Sequence, residues 1–333
     1  MPSESNASSV ARESGYSAPY LYLLDDESTP STSRGLSQFS ERSLNRVSSA
    51  IRSGAGQGHG ESYQPWLRIR RNFSSPVSYQ VFKSVSIHKR NHHFLSELEF
   101  HTALISAYLG AKGLRECLPM WPIEHPHPAK HLNGSQYGTA PGLFDIAKEL
   151  GIDHGSFVGT TVPYIGSVDL MLNWETTASS LAGISCKPGP IVATSIRAQE
   201  RIALDRAYCK AIGAHHHHET GDSINLQLVR NLSWLHPLPA ETPLYEESEQ
   251  FADYVCVYNE CSSERPIRDA VRAAARAASV VDDDPYRFWR LGIWKQKIDI
   301  DLTQRVHTPN MMNRSNHRYL TDLRKKFFGV SNG

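Results

Sequence analysis

No apolar run in the 333-residue chain approaches the roughly 20 residues that a membrane-spanning helix needs. The first residues also lack the apolar core of a secretory signal. Cysteine is scarce. Its five copies, Cys117, Cys186, Cys209, Cys256 and Cys261, are odd in number and scattered, which suits a reducing cytosol better than a disulfide framework. Cys256 and Cys261 have no second Cys/His pair at zinc-finger spacing. No Gly-x-Ser-x-Gly elbow is present, so α/β-hydrolase chemistry is not expected. Nor does a cysteine–histidine arrangement around Cys186 mark a thiol nucleophile. The glycines at 54, 56, 58 and 60 follow no strand and precede no Lys-Ser/Thr, which argues against a nucleotide-cradling loop. No internal repeat is apparent.

Net charge is also nearly absent, at +1, but its distribution is uneven. Residues 1–33 are acidic. Residues 34–93 carry ten Arg/Lys (34, 42, 46, 52, 68, 70, 71, 83, 89 and 90) against Glu41 and Glu61. The end is basic again, with Arg305, Arg314, Arg318, Arg324, Lys325 and Lys326 against Asp322. Basic blocks on a near-neutral chain suit contact with nucleic-acid phosphates; solvated loops are the plainer reading. The length fits two domains plus tails. Composition predicts a disordered extension over 1–50, rich in Ser, Pro and Glu, with an apolar cluster at 16–24 that could dock on a partner. An α/β domain follows over 51–240, its glycine-rich start read as a flexible arm lying on DNA. A mainly helical module occupies 241–333. Periodicity predicts strands within 78–93, a helix from Phe94 to Tyr108, a helix from Leu143 stopped at Gly151, and strands over 162–174 and 181–187. Further helices are expected over 199–210, 224–235 (as a pair or with a turn), 268–279 and 284–290, then a strand at 298–302.

Three patches carry chemistry. Ser96-Glu97-Leu98-Glu99 opens an apolar helix. Asp169 sits within Val168-Asp169-Leu170-Met171-Leu172. Lys187 ends the strand Ile184-Ser185-Cys186-Lys187. Acid, acid and X-x-Lys in that order outline a metal-dependent nuclease core. Carboxylates hold Mg²⁺, the metal activates water, and a lysine stabilises developing negative charge. Each patch has an ordinary alternative. Ser96 and Glu99 stand at capping-box spacing. Asp169 could face solvent from an alternating strand, though a buried carboxylate needs a partner. A strand-end lysine is commonly solvated. The run of four histidines at 215–218 could bind metal through alternate residues, but without a placed carboxylate or cysteine it reads more simply as a polar strand or loop.

Other segments add specificity. Gly56-Gln57-Gly58-His59-Gly60 with Tyr63 and Pro65-Trp66-Leu67, and His92-His93 before Leu95-Ser96-Glu97-Leu98-Glu99, occur in one order. So do Leu114-Arg115-Glu116-Cys117-Leu118-Pro119, Ile146-Ala147-Lys148-Glu149-Leu150-Gly151-Ile152-Asp153-His154, and Asn231-Leu232-Ser233-Trp234-Leu235. Together they resemble the TnsA endonuclease subunits of TnsABC-type heteromeric transposases, from about residue 50 to 240 and more weakly beyond. The resemblance implies a restriction-endonuclease-like α/β core with a C-terminal winged-helix-like domain. It implies Mg²⁺-dependent cleavage (Mn²⁺ as a substitute) at the 5′ ends of a transposon by a cytoplasmic, nucleoid-associated protein. Its partners would be transposon-end DNA, a TnsB-like DDE transposase and a TnsC-like ATPase. By position, Glu99, Asp169 and Lys187 become the catalytic residues. Glu99, Asp169 and the Cys186 carbonyl become metal ligands. Ser185 falls at the family's glutamine; it keeps a hydroxyl with shorter reach. Residues 125–141 lie outside the family pattern. A non-catalytic DNA-binding subunit and a stand-alone restriction or repair nuclease remain open readings.

Overall fold

The computed structural model describes residues 38–69, 79–132, 138–160, 162–175, 180–236, 248–280, 285–314 and 317–330. In chain order the elements are α1 (Gln38–Arg52), β1 (Val81–Lys83), β2 (His92–Phe94), α2 (Glu97–Tyr108), β3 (Gly113–Met120), β4 (His125–Pro126), β5 (Thr139–Ala140), α3 (Leu143–Leu150), β6 (Gly166–Asn173) and β7 (Leu181–Cys186). They continue with α4 (Gly189–Thr194), α5 (Ile196–Ala211), β8 (His215–Glu219), α6 (Leu226–Leu235), α7 (Glu249–Cys261), α8 (Ile267–Ala277), α9 (Tyr286–Trp294) and α10 (His317–Phe328). The cluster at 16–24, the rest of residues 1–37, and Arg70 and Arg71 lie outside the described residues.

A mixed four-stranded sheet, order β3-β6-β7-β8, forms the centre. The first two pairings are antiparallel and β7–β8 is parallel. A parallel pair needs a crossover, which α4 and α5 supply. On one face Leu114, Leu170, Leu172, Ala182 and Ile184 pack with α2 and α6, and the same apolar core runs on into α7 to α10. On the other face Leu118, Val168, Met171 and Leu181 pack with Ile146 and Ala147 of α3 and Leu204, Tyr208 and Cys209 of α5. The buried strands read as near-continuous apolar runs, as expected of a sheet covered on both sides.

Four expectations are corrected. Residues 38–52, most of them inside the stretch expected to be disordered, form α1. Its Val47 and Ile51 are buried with Trp121, Val162 and Ile165, and its exposed side carries Arg42 and Arg46. The glycine-rich segment is not a free arm. Gly56 N–H donates to the Gln64 carbonyl and Gln64 N–H to that of Gln57. Buried Tyr63 donates through its hydroxyl to the Glu116 carbonyl at 3.0 Å. Residues 224–235 give one helix, α6, capped by Asn225. Residues 298–302 form no strand, and none occurs among the described residues of 248–330. Ile298, Ile300 and Leu302 are buried as alternation implies, but Asn231 Nδ2 donates to the carbonyls of Leu302 and Gln304, and Asp301 N–H donates to the Asn313 carbonyl. These bonds satisfy the backbone without a partner strand.

Gly56 has φ +75°, and an added Cβ would lie 2.5 Å from Pro119 Cγ, a ring atom that cannot swing aside. Gly56→Ala therefore combines left-handed backbone strain with a clash. A loss of about 1–3 kcal/mol is expected, read as a lower denaturant midpoint at unchanged slope.

Candidate active site

Glu99 is both a helix cap and a buried acid. Ser96 sits at the N-cap of α2, and its Oγ accepts from Glu99 N–H at 3.2 Å. The Glu99 carboxylate folds back, accepting from Ser96 Oγ and from Leu95 N–H, each at 2.9 Å. The side chain is 5% exposed, whereas Glu97 is exposed. Burial, and then the negative charge of Asp169, push the Glu99 carboxyl up to about 8, against the opposing effects of its two donors and of Lys187.

Asp169 marks a break in β6. Val168 and Met171 join the core on one face, while Leu170 and Leu172 face the other. Regular alternation cannot place 168 and 171 together, so the strand is locally irregular at Asp169. Opposite it on β3, between the pairs Glu116↔Leu170 and Leu118↔Val168, Cys117 has φ +48°. The β6–β7 pairing reaches only Leu170↔Ile184. Beyond that point the Asp169 carboxylate replaces the ladder, accepting from Cys186 N–H at 2.7 Å. Burial, followed by the charge of Asp205, raises Asp169 to about 6; the Cys186 N–H, Arg201 and Lys187 oppose the rise.

Lys187 follows directly. Its N–H donates to the Glu219 carbonyl at 3.0 Å, and its carbonyl accepts from His218 Nε2 at 2.9 Å. The backbone is thus fixed on β8, and the side-chain charge acts on Glu99, Asp169 and Asp205. The structure brings Glu99, Asp169, Lys187 and the Cys186 peptide together.

Ser185 does not join them. It is 2% exposed and donates to Asp205 Oδ2 at 2.8 Å, with His216 Nε2 2.9 Å from the same hydroxyl. Asp205 Oδ1 pairs with Arg201 Nε at 3.2 Å, and Arg201 also donates to the Ser167 carbonyl. This network of Asp205, Arg201 and His216 was missed from the sequence. The available signal was Asp205 itself, a charge on the buried stripe of α5 with Ile202 and Cys209. Because Ser185 is enclosed, Ser185→Gln is expected to overpack its site. A loss of about 1–3 kcal/mol should appear in chemical unfolding, together with loss of the serine's two bonds.

The four histidines form β8, and each ring has its own partner. His215 donates to the Lys326 carbonyl, His216 meets Ser185, His217 meets Glu219, and His218 donates to the Lys187 carbonyl. Among the described residues no three His, Cys, Asp or Glu side chains form a cluster suited to a metal.

Some expected phosphate-binding cations are occupied. Arg90 makes a two-pronged contact with buried Glu116, both distances 2.7 Å, and Arg324 donates to the Leu109 carbonyl. Arg305, Arg314, Arg318, Lys325 and Lys326 are exposed.

No protein-family model matches the chain. Over 234 residues it is 26% identical to the transposon Tn7 transposition protein TnsA of Escherichia coli, covering 69% of this chain and 76% of that protein. The chain is TnsA-like. The resemblance read from the motifs therefore stands, and the mixed α/β sheet of this TnsA-like chain is consistent with a nuclease core. None of its described helices is long and apolar enough to cross a membrane.

Proposed function

We propose that the chain is the DNA endonuclease subunit of a TnsABC-type transposase, hydrolysing phosphodiesters at the 5′ ends of the transposon in the presence of Mg²⁺. The observation that carries this reading is the Glu99–Asp169 pair: two acids from different elements, Glu99 buried and Asp169 partly buried, beside Lys187, with pKa values raised by desolvation and negative neighbours. Similarity to a transposition protein supports it. Mg²⁺ suits the donor set. Carboxylate and carbonyl oxygens are hard ligands, and an ion that keeps several waters needs few protein ligands. Glu99, Asp169 and the Cys186 carbonyl would hold it, relieving the repulsion between the acids. Bound there, the ion would activate water and offset charge on the scissile phosphate.

The chain's own residues then have distinct parts. Ser96 and Leu95 N–H fix Glu99, and Cys186 N–H fixes Asp169. Lys187 stabilises negative charge developing on the phosphate, its backbone held by β8. Transposon-end DNA is the substrate, and a TnsB-like DDE transposase and a TnsC-like ATPase are the partners. Ser185, engaged by Asp205 and His216, is a structural neighbour of the site.

The test is reconstituted excision from a donor plasmid with those two partners and Mg²⁺. Wild type should cut both strands at each end. Glu99→Gln, or chelation followed by Ca²⁺, should abolish the 5′-end cut. Undiminished 5′-end cutting by Glu99→Gln would sink the assignment.

A further inference from the structure

A second polar site lies at the other end of the sheet. An open cavity of about 260 Å³ is lined by His59, Gly60, His88, Lys112, Arg115 and His131, among others. It flanks the Gly113↔Asn173 pair at the edge of the β3–β6 ladder. Asp169 lies four residues away along β6, about 13 Å at strand rise, so the cavity is separate from the Glu99–Asp169 pair. No carboxylate is among its lining residues.

The lining is built for an anion. Arg115 is 5% exposed and donates to the Pro128 carbonyl at 2.9 Å, which holds its guanidinium in place. Lys112, exposed at the mouth, is anchored by its N–H on the Asn173 carbonyl at 2.8 Å. His59 and His131 stack with ring centroids 4.3 Å apart. His88 Nε2 accepts from Leu114 N–H at 3.3 Å, which leaves Nδ1 of the neutral ring as a donor. Gly60 faces open space, so the backbone leaves room for a ligand. His131 Nδ1 is buried without a hydrogen-bond partner. A guanidinium, an ammonium and imidazole donors converging on one space are the groups that bind phosphate oxygens.

We infer that this cavity binds a phosphate group. The inference does not depend on the nuclease reading, because none of its residues belongs to that site. Two sources share this chemistry: the backbone of bound DNA, and free phosphate or a nucleotide. Burial, with the positive charge of Arg115, holds His59 and His131 below their ordinary pKa. An anion placed among them would shift both in the opposite direction, so the rings themselves report occupancy.

The experiment is a titration of the full chain with inorganic phosphate against chloride at matched ionic strength, following histidine ring signals by NMR. The His59 and His131 signals should move together and saturate in wild type. Lys112→Ala should weaken the response at least fivefold with unchanged thermal stability, and Lys130→Ala, at an exposed lysine that does not line the cavity, should leave it intact. A short duplex that produces the same shifts and is displaced by phosphate identifies the ligand as DNA backbone. Saturable phosphate shifts that the duplex neither reproduces nor blocks identify a free phosphate ligand. Absence of saturable shifts with either, or a response unchanged in Lys112→Ala, overturns the inference.

Discussion

Asp169→Asn is expected to reduce 5′-end cleavage about a thousandfold, equivalent to roughly 4 kcal/mol of barrier, while making the metal-free protein more stable at pH 8. Asparagine keeps an oxygen to accept from Cys186 N–H, so the local fold survives. It removes the negative charge that a bound cation requires. The stability gain follows from the raised pKa. An acid moved from 3.8 to about 6 binds its proton more tightly in the folded state. Its ionisation therefore costs nothing below about pH 4, develops a penalty between pH 4 and 6, and carries the full penalty above. Two units correspond to roughly 3 kcal/mol. Urea unfolding of wild type and variant at pH 4 and pH 8 separates the terms. Equal stability at pH 4 with a more stable variant at pH 8 is expected. A variant that is less stable at pH 8, or that cleaves at the wild-type rate, is incompatible with Asp169 as a desolvated metal-binding acid.

Lys187→Ala is expected to lower the cleavage rate about a hundred- to a thousandfold with little change in stability at about pH 4, where Glu99 and Asp169 keep their protons in the folded state. The anchors of residue 187 are its N–H and carbonyl on Glu219 and His218, which alanine retains. The pH–rate profile supplies the distinguishing readout. Lys187 favours the ionised forms of Glu99 and Asp169. Without it both acids hold their protons to higher pH, so the acid limb of the profile should move upward. A loss of rate with an unmoved acid limb would show that Lys187 is electrostatically remote from the two acids.

The sequence made the site visible in part. Ser96 and Glu99 were ambiguous between cap and ligand because the capping bond and the inward carboxylate coexist in one side chain. Asp169 is conspicuous as a charge within an apolar strand, but its bond to Cys186 N–H and the positive φ of Cys117 across the ladder cannot be seen by pattern reading along one strand. Asp205 and His216 were missed for a similar reason: their meeting at Ser185 requires α5 and β8 to converge on β7. Helices α2, α3, α5, α6, α8 and α9 and strands β6 and β7 follow from periodicity, whereas β3, α4, α7 and α10 were not expected. The strand expected at 298–302 failed because alternation reports burial and not pairing. The glycine-rich segment reads as an arm because glycine permits flexibility. Here the positive φ of Gly56 permits close approach to Pro119 instead.

Divalent-metal binding by the two acids is tested most directly by Mn²⁺ titration under electron paramagnetic resonance, using the full chain as wild type, Glu99→Gln and Asp169→Asn. Wild type should bind Mn²⁺ saturably, Mg²⁺ should displace it, and each variant should bind at least tenfold more weakly. Equal affinity and stoichiometry in all three proteins would contradict a metal centre at Glu99 and Asp169.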